Sequence, residues 1–367
     1  GNCTFQQING SEVTDSGIVE SFGNVTLDIY STAYFNAPLR VRTGVTNIYS
    51  TQFPNVSALT NTLTVDTSAV FSVVAGGYAI YTYNDIFNNG TISTGNSSGT
   101  IRHFGDSIIN NGIINAYNFY FESVPATRSQ IRFLTGTGAF TSVNLQILNG
   151  TYVYLSSNHT IAYLQIENGA TLDITSRQLR LTGGASPMAV NGAIITGGST
   201  IEYSGTSPQS TVHTNVNYAN MTISNASGVT VTQNFSIPGL LRVNLGKLDL
   251  NGKIITFLSG ASLLETSGNV ITGNSGYITT TRQINAPSNF NVAGFGVSLT
   301  SSANLGLTEV RRGHAAQTIP GGQSVKRYYV IRPENNSGLN ATGVFRYDDS
   351  ELNGNVEANL KMLKSTD

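Results

Sequence analysis

At 367 residues the chain is long enough to bury a large core and to hold two or three domains, yet only 11% of its side chains are charged, against about 25% in an ordinary soluble domain. A formal net charge of -1 without any Lys/Arg run excludes a nucleic-acid surface, which needs clustered cations to neutralise phosphates. The longest apolar run, Ala69 to Ile80, is broken by Ser and Gly and falls short of the ~20 residues of a spanning helix, so no membrane span is expected.

Ser, Thr, Asn and Gly take the polar positions. They suit tight turns and the outer faces of strands, whereas helix formers are scarce or interrupted by Gly, so almost no helix is expected. The chain opens on Gly1-Asn2-Cys3 with no leader-like stretch, and the composition favours a leader already removed. Cys3 is the only cysteine, so no internal disulfide can form. A free thiol, an intermolecular bridge and a remnant near a processing site all remain open. Residues 1–22 read as an N-terminal arm available for capping or strand exchange.

From residue 23 onward short segments alternate apolar and polar residues, as in Val25-Thr26-Leu27-Asp28-Ile29, Leu39-Arg40-Val41, Leu63-Thr64-Val65, Leu145-Gln146-Ile147, Leu172-Asp173-Ile174 and Leu248-Asp249-Leu250. Period two means strands with one buried face. Asn-Gly, Asn-Asn-Gly and Gly-Gly pairs between them supply the positive φ of tight corners. From Gly90 to Gly112 is a step of 22, and from Asn149 to Asn168 a step of 19.

The stretch Asn144 to Ser186 recurs as Asn220 to Ser262 at an offset of 76. What recurs is apolar positions and turn residues, including Asp173 and Asp249 in equivalent slots, and no reactive set is copied. Corners at roughly every 20 residues predict the coils of a stacked solenoid. The offset then divides into four coils of 19. The expected fold is all-β: a right-handed parallel β-helix over 23–276 with about twelve coils, then a small antiparallel β-sandwich over 277–367. A jelly roll or several small sandwiches is the alternative that alternation alone leaves open.

Tyr78, Tyr81, Tyr83, Tyr152 and Tyr154 could form a glycan-binding stripe if they point outward on neighbouring coils, or else line a sheet. Glu122, Glu167, Glu202, Asp173 and Asp249 are too scattered to suggest the paired carboxyl groups of a glycosidase, so no catalytic residue and no cofactor is assigned. His103, His159, His213 and His314 lack metal-ligand spacing. Asn24, Asn55, Asn96, Asn158, Asn225 and Asn340 lie in Asn-x-Ser/Thr sequons, an excess that follows from composition.

Past Gly276 the composition changes, and fifteen of the thirty-nine charged residues fall between Glu309 and Asp367. Tyr328-Tyr329-Val330-Ile331, Val344-Phe345-Arg346-Tyr347 and Leu360-Lys361-Met362-Leu363 read as antiparallel strands. Asp348, Asp349 and Glu351 could offer oxygen ligands to Ca²⁺, but they lack the rest of a calcium loop, and Arg311, Arg312, Lys326 and Arg327 are simpler partners.

The run Val325-Lys326-Arg327-Tyr328-Tyr329-Val330-Ile331-Arg332-Pro333, with Phe345-Arg346-Tyr347-Asp348-Asp349-Ser350-Glu351-Leu352-Asn353-Gly354 and the upstream Leu248-Asp249-Leu250-Asn251-Gly252, resembles segments of large secreted proteins of Bacteroidota. The resemblance covers about residues 144–367. It implies export by the type IX route and a role as a cell-surface adhesin or extracellular structural protein, and it brings no catalytic residues. Such proteins usually continue into a sorting domain, whereas this sequence stops at Lys364-Ser365-Thr366-Asp367, so either that domain has been cleaved or the sequence is a fragment. Asp106-Ser107-Ile108 is similar to the O-glycosylation site of that group, which makes Ser107 a candidate acceptor.

The expected function is that of an extracellular structural or adhesive protein, a self-assembling subunit of a surface fibre. A carbohydrate-binding or polysaccharide-acting β-helix is the alternative. Head-to-tail self-association is expected through strand addition by the N-terminal segment, with Ile18, Val19, Val25, Leu27 and Ile29 as contacts, and surface glycans are possible further partners. On this reading, deleting residues 1–22 abolishes polymers seen by electron microscopy and leaves a folded monomer.

Overall fold

The computed structural model describes the chain except residues 1–2, 8–11, 14–16, 30–33, 36, 50–55, 60, 75–78, 95–98, 123–130, 149, 320 and 366–367. It is almost entirely β, and 3-10 turns at Asp349–Glu351 and Glu357–Asn359 are the only helical pieces among the described residues. The chain divides into two compact units, residues 1–202 with 214–217 and residues 203–213 with 218–367.

The first unit is a parallel β-solenoid. Each coil contributes up to three short strands, and each strand pairs in parallel with its counterparts one coil before and after, as Val70–Val74 does with Val45–Tyr49 and Thr91–Thr94. The third strands of nine coils, from Val19–Ser21 to Ala193–Ile195, make one nine-stranded parallel sheet. Alternation decides what each strand buries: in Thr100–His103 and Asn118–Phe121 every second side chain points inward, so Ile101, His103, Phe119 and Phe121 are buried. No coil could bury these rows alone, because each inward side chain is covered only by the coils next to it.

The expected constant period is replaced by constant strand register with variable corners. In one stack Thr100 pairs with Asn118, a step of 18 along the chain, and Asn118 pairs with Asn144, a step of 26. From Asn144 the next step is 19, to Tyr163, but Leu164 to Met188 takes 24. The duplicated stretch is therefore not a set of equal coils of 19. Hydrogen bonding fixes how strands meet, whereas a corner can bulge outward without disturbing them.

The two Asn-Asn-Gly corners stack on each other. Asn88 and Asn110 are fully buried; Asn88 Nδ2 donates to Asn110 Oδ1 at 2.7 Å and to Ile113 O at 3.1 Å, and outside them Asn111 Nδ2 donates to Asn89 Oδ1 at 3.0 Å. Gly169 follows the expectation, with φ +76° at its corner. Gly112 is required for another reason: a Cβ there would lie 1.9 Å from the carbonyl oxygen of Gly90 in the coil below.

The N-terminal segment is not a separate arm. Cys3–Gln7, Glu12–Val13 and Val19–Ser21 pair in parallel with Val25–Ile29, Tyr34–Phe35 and Leu39–Val41, so they form a coil of the solenoid. Val25–Ile29 also pairs on its other edge with Val45–Tyr49. With both edges occupied, Val25, Leu27 and Ile29 cannot lend their strand to another subunit, and removing residues 1–22 would strip a coil and bare the next one.

The second unit begins as a parallel solenoid of its own and then changes direction. Parallel stacks join Asn220–Ser224 to Leu240–Leu245 and Ser262–Glu265, and Phe235–Ile237 to Ile254–Phe257 and Tyr277–Asn285. Tyr277–Asn285 then takes an antiparallel partner on its free side, Asn304–Gly313, which pairs in turn with Tyr328–Arg332. A three-stranded antiparallel sheet of Phe290–Asn291, Val297–Thr300 and Thr342–Phe345 completes the sandwich-like module. The change of composition at 276/277 thus marks a switch from parallel to antiparallel pairing within one compact unit. The strand expected at Leu360-Lys361-Met362-Leu363 does not form, and Met362 and Leu363 are 69% and 59% exposed.

Replacing Gly112 by Ala must push a backbone carbonyl aside and should cost about 3 kcal/mol. At Gly198, with φ +66° and only Ser176 Oγ within 4 Å at 3.6 Å, the same change should cost about 1–2 kcal/mol. Denaturant midpoints of Gly112→Ala and Gly198→Ala check the order, and equal losses would refute the coil-to-coil contact.

Candidate functional site

Two outer faces of the first unit carry aromatic side chains. On one, Tyr81, Arg102 and Tyr120 are register partners in successive strands, so alternation puts all three on the same outer surface. The Arg102 guanidinium lies 5.7 Å from the Tyr81 ring centre and 5.2 Å from that of Tyr120, and Glu122 pairs with it at 2.9 Å. Tyr83 stacks on Phe104 at 5.0 Å. These aromatic faces are covered by a cation or by each other.

The second face belongs to the nine-stranded sheet. Ser107, Phe133, Tyr154, Asp173 and Ile195 are register partners in consecutive strands, and Tyr152 pairs with Thr171 in the adjacent row. Phe133 and Ile195 are 44% and 41% exposed, and the Phe133 and Tyr154 rings meet edge-on at 6.1 Å. Tyr152 Oη donates to Asp173 Oδ2 at 2.6 Å, and Thr175 N donates to Oδ1 at 2.9 Å. Burial pulls the Asp173 carboxyl upward, but the bonds from Tyr152 and Thr175 prevail and hold it below its ordinary value. Burial, then the Asp173 bond, pushes the Tyr152 phenol up to about 12.

The equivalence of Asp173 and Asp249 has a local cause: Asp249 Oδ1 accepts from Asn251 N at 2.9 Å, the same two-residue turn as Asp173 with Thr175. Tyr152 and Tyr154 do point outward on one strand, as do Tyr81 and Tyr120 on others. Tyr78, Asn55 and Asn96 lie outside the described residues, as do the side chains of Cys3, Leu27 and Ile29. Phe133 and Ile195 were not singled out in the sequence. Ile131-Arg132-Phe133-Leu134 and Ala193-Ile194-Ile195 could have flagged them, because each is apolar on both phases of its strand and so must place an apolar side chain outward.

The second unit holds a buried charged centre. Arg312 donates to Glu265 at 2.9 Å, Arg327 reaches Glu351 at 2.7 Å and Glu265 at 3.6 Å, and Tyr329 Oη donates to the carbonyls of Phe295 and Arg346 at 2.8 and 3.1 Å. Burial raises Glu265, but Arg312 and Arg327 outweigh it and keep the carboxyl ionised below its usual range. Burial prevails at Glu351 and lifts it despite Arg327. This centre ties the solenoid strand Ser262–Glu265 to Asn304–Gly313 and to the 3-10 turn at Asp349–Glu351, all within one unit.

Of the calcium candidates, Asp348 caps that turn, accepting from Ser350 N at 3.0 Å and from Gly268 N at 2.9 Å, Glu351 faces Arg327, and Asp349 is exposed. Among the described residues no group of three or more His, Cys, Asp or Glu side chains is placed to hold a metal ion. Ser107 sits half-buried in the strand Ser107–Asn110, its N–H donating to Asp85 Oδ1 at 2.9 Å. Ile18 is 59% exposed and Val19 half-buried. His103, His159 and His314 are buried. Among the described residues no helix is long and apolar enough to cross a membrane.

Comparison with known proteins finds no matching family model, no matching curated protein and no matching solved structure.

Two outcomes follow from this geometry. Arg312→Met leaves Glu265 buried without its nearest partner and should destabilise the protein by about 3–5 kcal/mol, read from denaturant midpoints. Burial also lowers His159 and His213 to about 4. Both stay neutral in the fold while the unfolded chain takes up protons below about pH 6.5, so their contribution to stability is constant above that pH and falls as pH drops toward 4. His159 alone contributes roughly 3 kcal/mol of this loss. A thermal midpoint unchanged between pH 7 and 4.5 would contradict it.

Proposed function

We propose that this chain is a non-enzymatic structural and adhesive protein of the cell exterior, which associates with further copies of itself through an open end of its solenoid. One observation carries the assembly: Val19–Ser21 closes one end of the nine-stranded sheet, paired on one edge only among the described residues, and exposed apolar side chains flank it. Ile18 and Phe22 are 59% and 60% exposed. An unpaired edge beside apolar groups favours strand addition, and a contact between unlike surfaces extends into a filament when it does not close into a ring.

Tyr328–Arg332, at the end of the five-stranded sheet, is likewise paired on one side among the described residues and would be the matching edge. The contact therefore moves from the doubly paired Val25–Ile29 to Ile18 and Val19. The low charge content is what favours the external location.

Val19 N donates to Pro38 O at 2.8 Å and Ser21 O accepts from Arg42 N at 3.0 Å, so the intervening Glu20 turns its N–H and C=O to the open edge. Light scattering of the purified protein should show a mass that grows with concentration, with filaments in electron micrographs. Glu20→Pro, which removes the outward N–H together with the side chain that pairs with Arg42 at 3.0 Å, should reduce this association at least tenfold while preserving the circular dichroism spectrum, whereas Glu20→Ala, which loses the side chain alone, should associate as the parent does. A protein that stays monomeric at every concentration, or a Glu20→Pro variant that associates as before, would refute the reading.

A further inference from the structure

The row Ser107, Phe133, Tyr154, Asp173 and Ile195 runs across five successive strands of the first unit. Strands lie about 4.8 Å apart and same-face neighbours along a strand about 7 Å apart, so this row and its neighbour Tyr152–Thr171 cover roughly 19 by 10 Å, about 200 Å². A stable protein interface needs about 800 Å² on each partner. A second protein would therefore not be held by this face alone, whereas a narrow chain lying along the stack would match it.

The chemistry of the row is graded: a hydroxyl at Ser107, two rings at Phe133 and Tyr154, and a fixed carboxylate at Asp173. Because the rings meet edge-on, with an interplanar angle of 78°, at least one keeps a face that the other does not cover. Asp173 is pinned by Tyr152 and Thr175, and a carboxylate with about four lone-pair sites retains capacity to accept from a ligand hydroxyl. Asp106, exposed next to Ser107, is paired with the buried Arg132 at 3.5 Å, so the carboxylate that disfavours an anionic polymer on this face is Asp173. The Tyr81–Tyr120 face offers no such platform, since Arg102 lies between its rings.

We propose that this row binds a linear, neutral polysaccharide segment, with sugar rings stacked on Phe133 and Tyr154 and a sugar hydroxyl donating to the Asp173 carboxylate. The proposal rests on the adhesive reading above and names what the surface adheres to. Affinity electrophoresis of the full chain in gels containing hydroxyethyl cellulose or laminarin, both neutral, and alginate, which is acidic, tests it directly. Retardation is expected in at least one neutral gel and not in alginate. Phe133→Ala and Asp173→Asn should each weaken binding at least tenfold, and Tyr120→Ala should leave it unchanged. Phe133 is substantially exposed and Asp173→Asn keeps an acceptor for the turn, so circular dichroism spectra should match the parent.

No retardation in either neutral gel, equal retardation in alginate, or full affinity in both variants would overturn the site. The concentration dependence of scattering is read without any polysaccharide, so failure here is separable from failure of the assembly.

Discussion

Parallel stacking of short strands is the constraint on which everything else in this protein depends. A strand inside the stack satisfies its N–H and C=O groups with the coils before and after it, as Val70–Val74 does, and its inward Val, Ile, Leu or Phe side chains are covered by their counterparts one coil away. Stability is therefore distributed along the stack, and it is lost locally wherever a coil cannot approach its neighbour. The close contact of Gly112 with Gly90 and the amide ladder of Asn88 and Asn110 are two such points, one steric and one hydrogen-bonded.

The same constraint creates outer surfaces of a particular kind. Because register is fixed, residues far apart in the chain fall into straight rows, and a row repeats about every 4.8 Å whatever the corners do. A row of unlike residues lays a chemical pattern along the stack: Arg102 lies between two tyrosines on one face, while Phe133, Tyr154 and Asp173 line another. Stacking also leaves ends. In the second unit the end is handled by reversing strand direction, with Asn304–Gly313 pairing antiparallel to the last parallel strand, and by a buried charged centre in which two arginines and two glutamates offset one another. Such a centre adds little net stability over an apolar equivalent, but its geometry tolerates few other arrangements, which suits a place where the fold changes type.

Much of the architecture was legible in the chain because alternation and corner residues are local signals. Leu39-Arg40-Val41 and Leu63-Thr64-Val65 have the expected inward and outward phases, and Asp173 and Asp249 each close the same kind of two-residue turn. Where the reading failed, a nonlocal fact decided. Val25–Ile29 looks like any strand, and only its two partners show that neither edge is free. Leu360 to Leu363 alternates as a strand should, but no sheet edge receives it. At 348–351 the chain itself offers Arg327 as a simpler partner than a cation, and Arg327 does hold Glu351.

By itself the sequence determined strand identity, the inward face of each strand, the scarcity of charge and the change of composition near residue 276, since all of these are set by side chains a few positions apart. The tertiary structure alone decided which coils stand in register, because the step between register partners varies from 18 to 26 and so erases any fixed offset. Register is what brings Phe133 beside Tyr154 and Tyr154 beside Asp173, and what joins Glu265 to Arg312 across 47 positions. Hydrogen bonding between neighbouring strands sets it, and the distance along the chain between those strands does not enter.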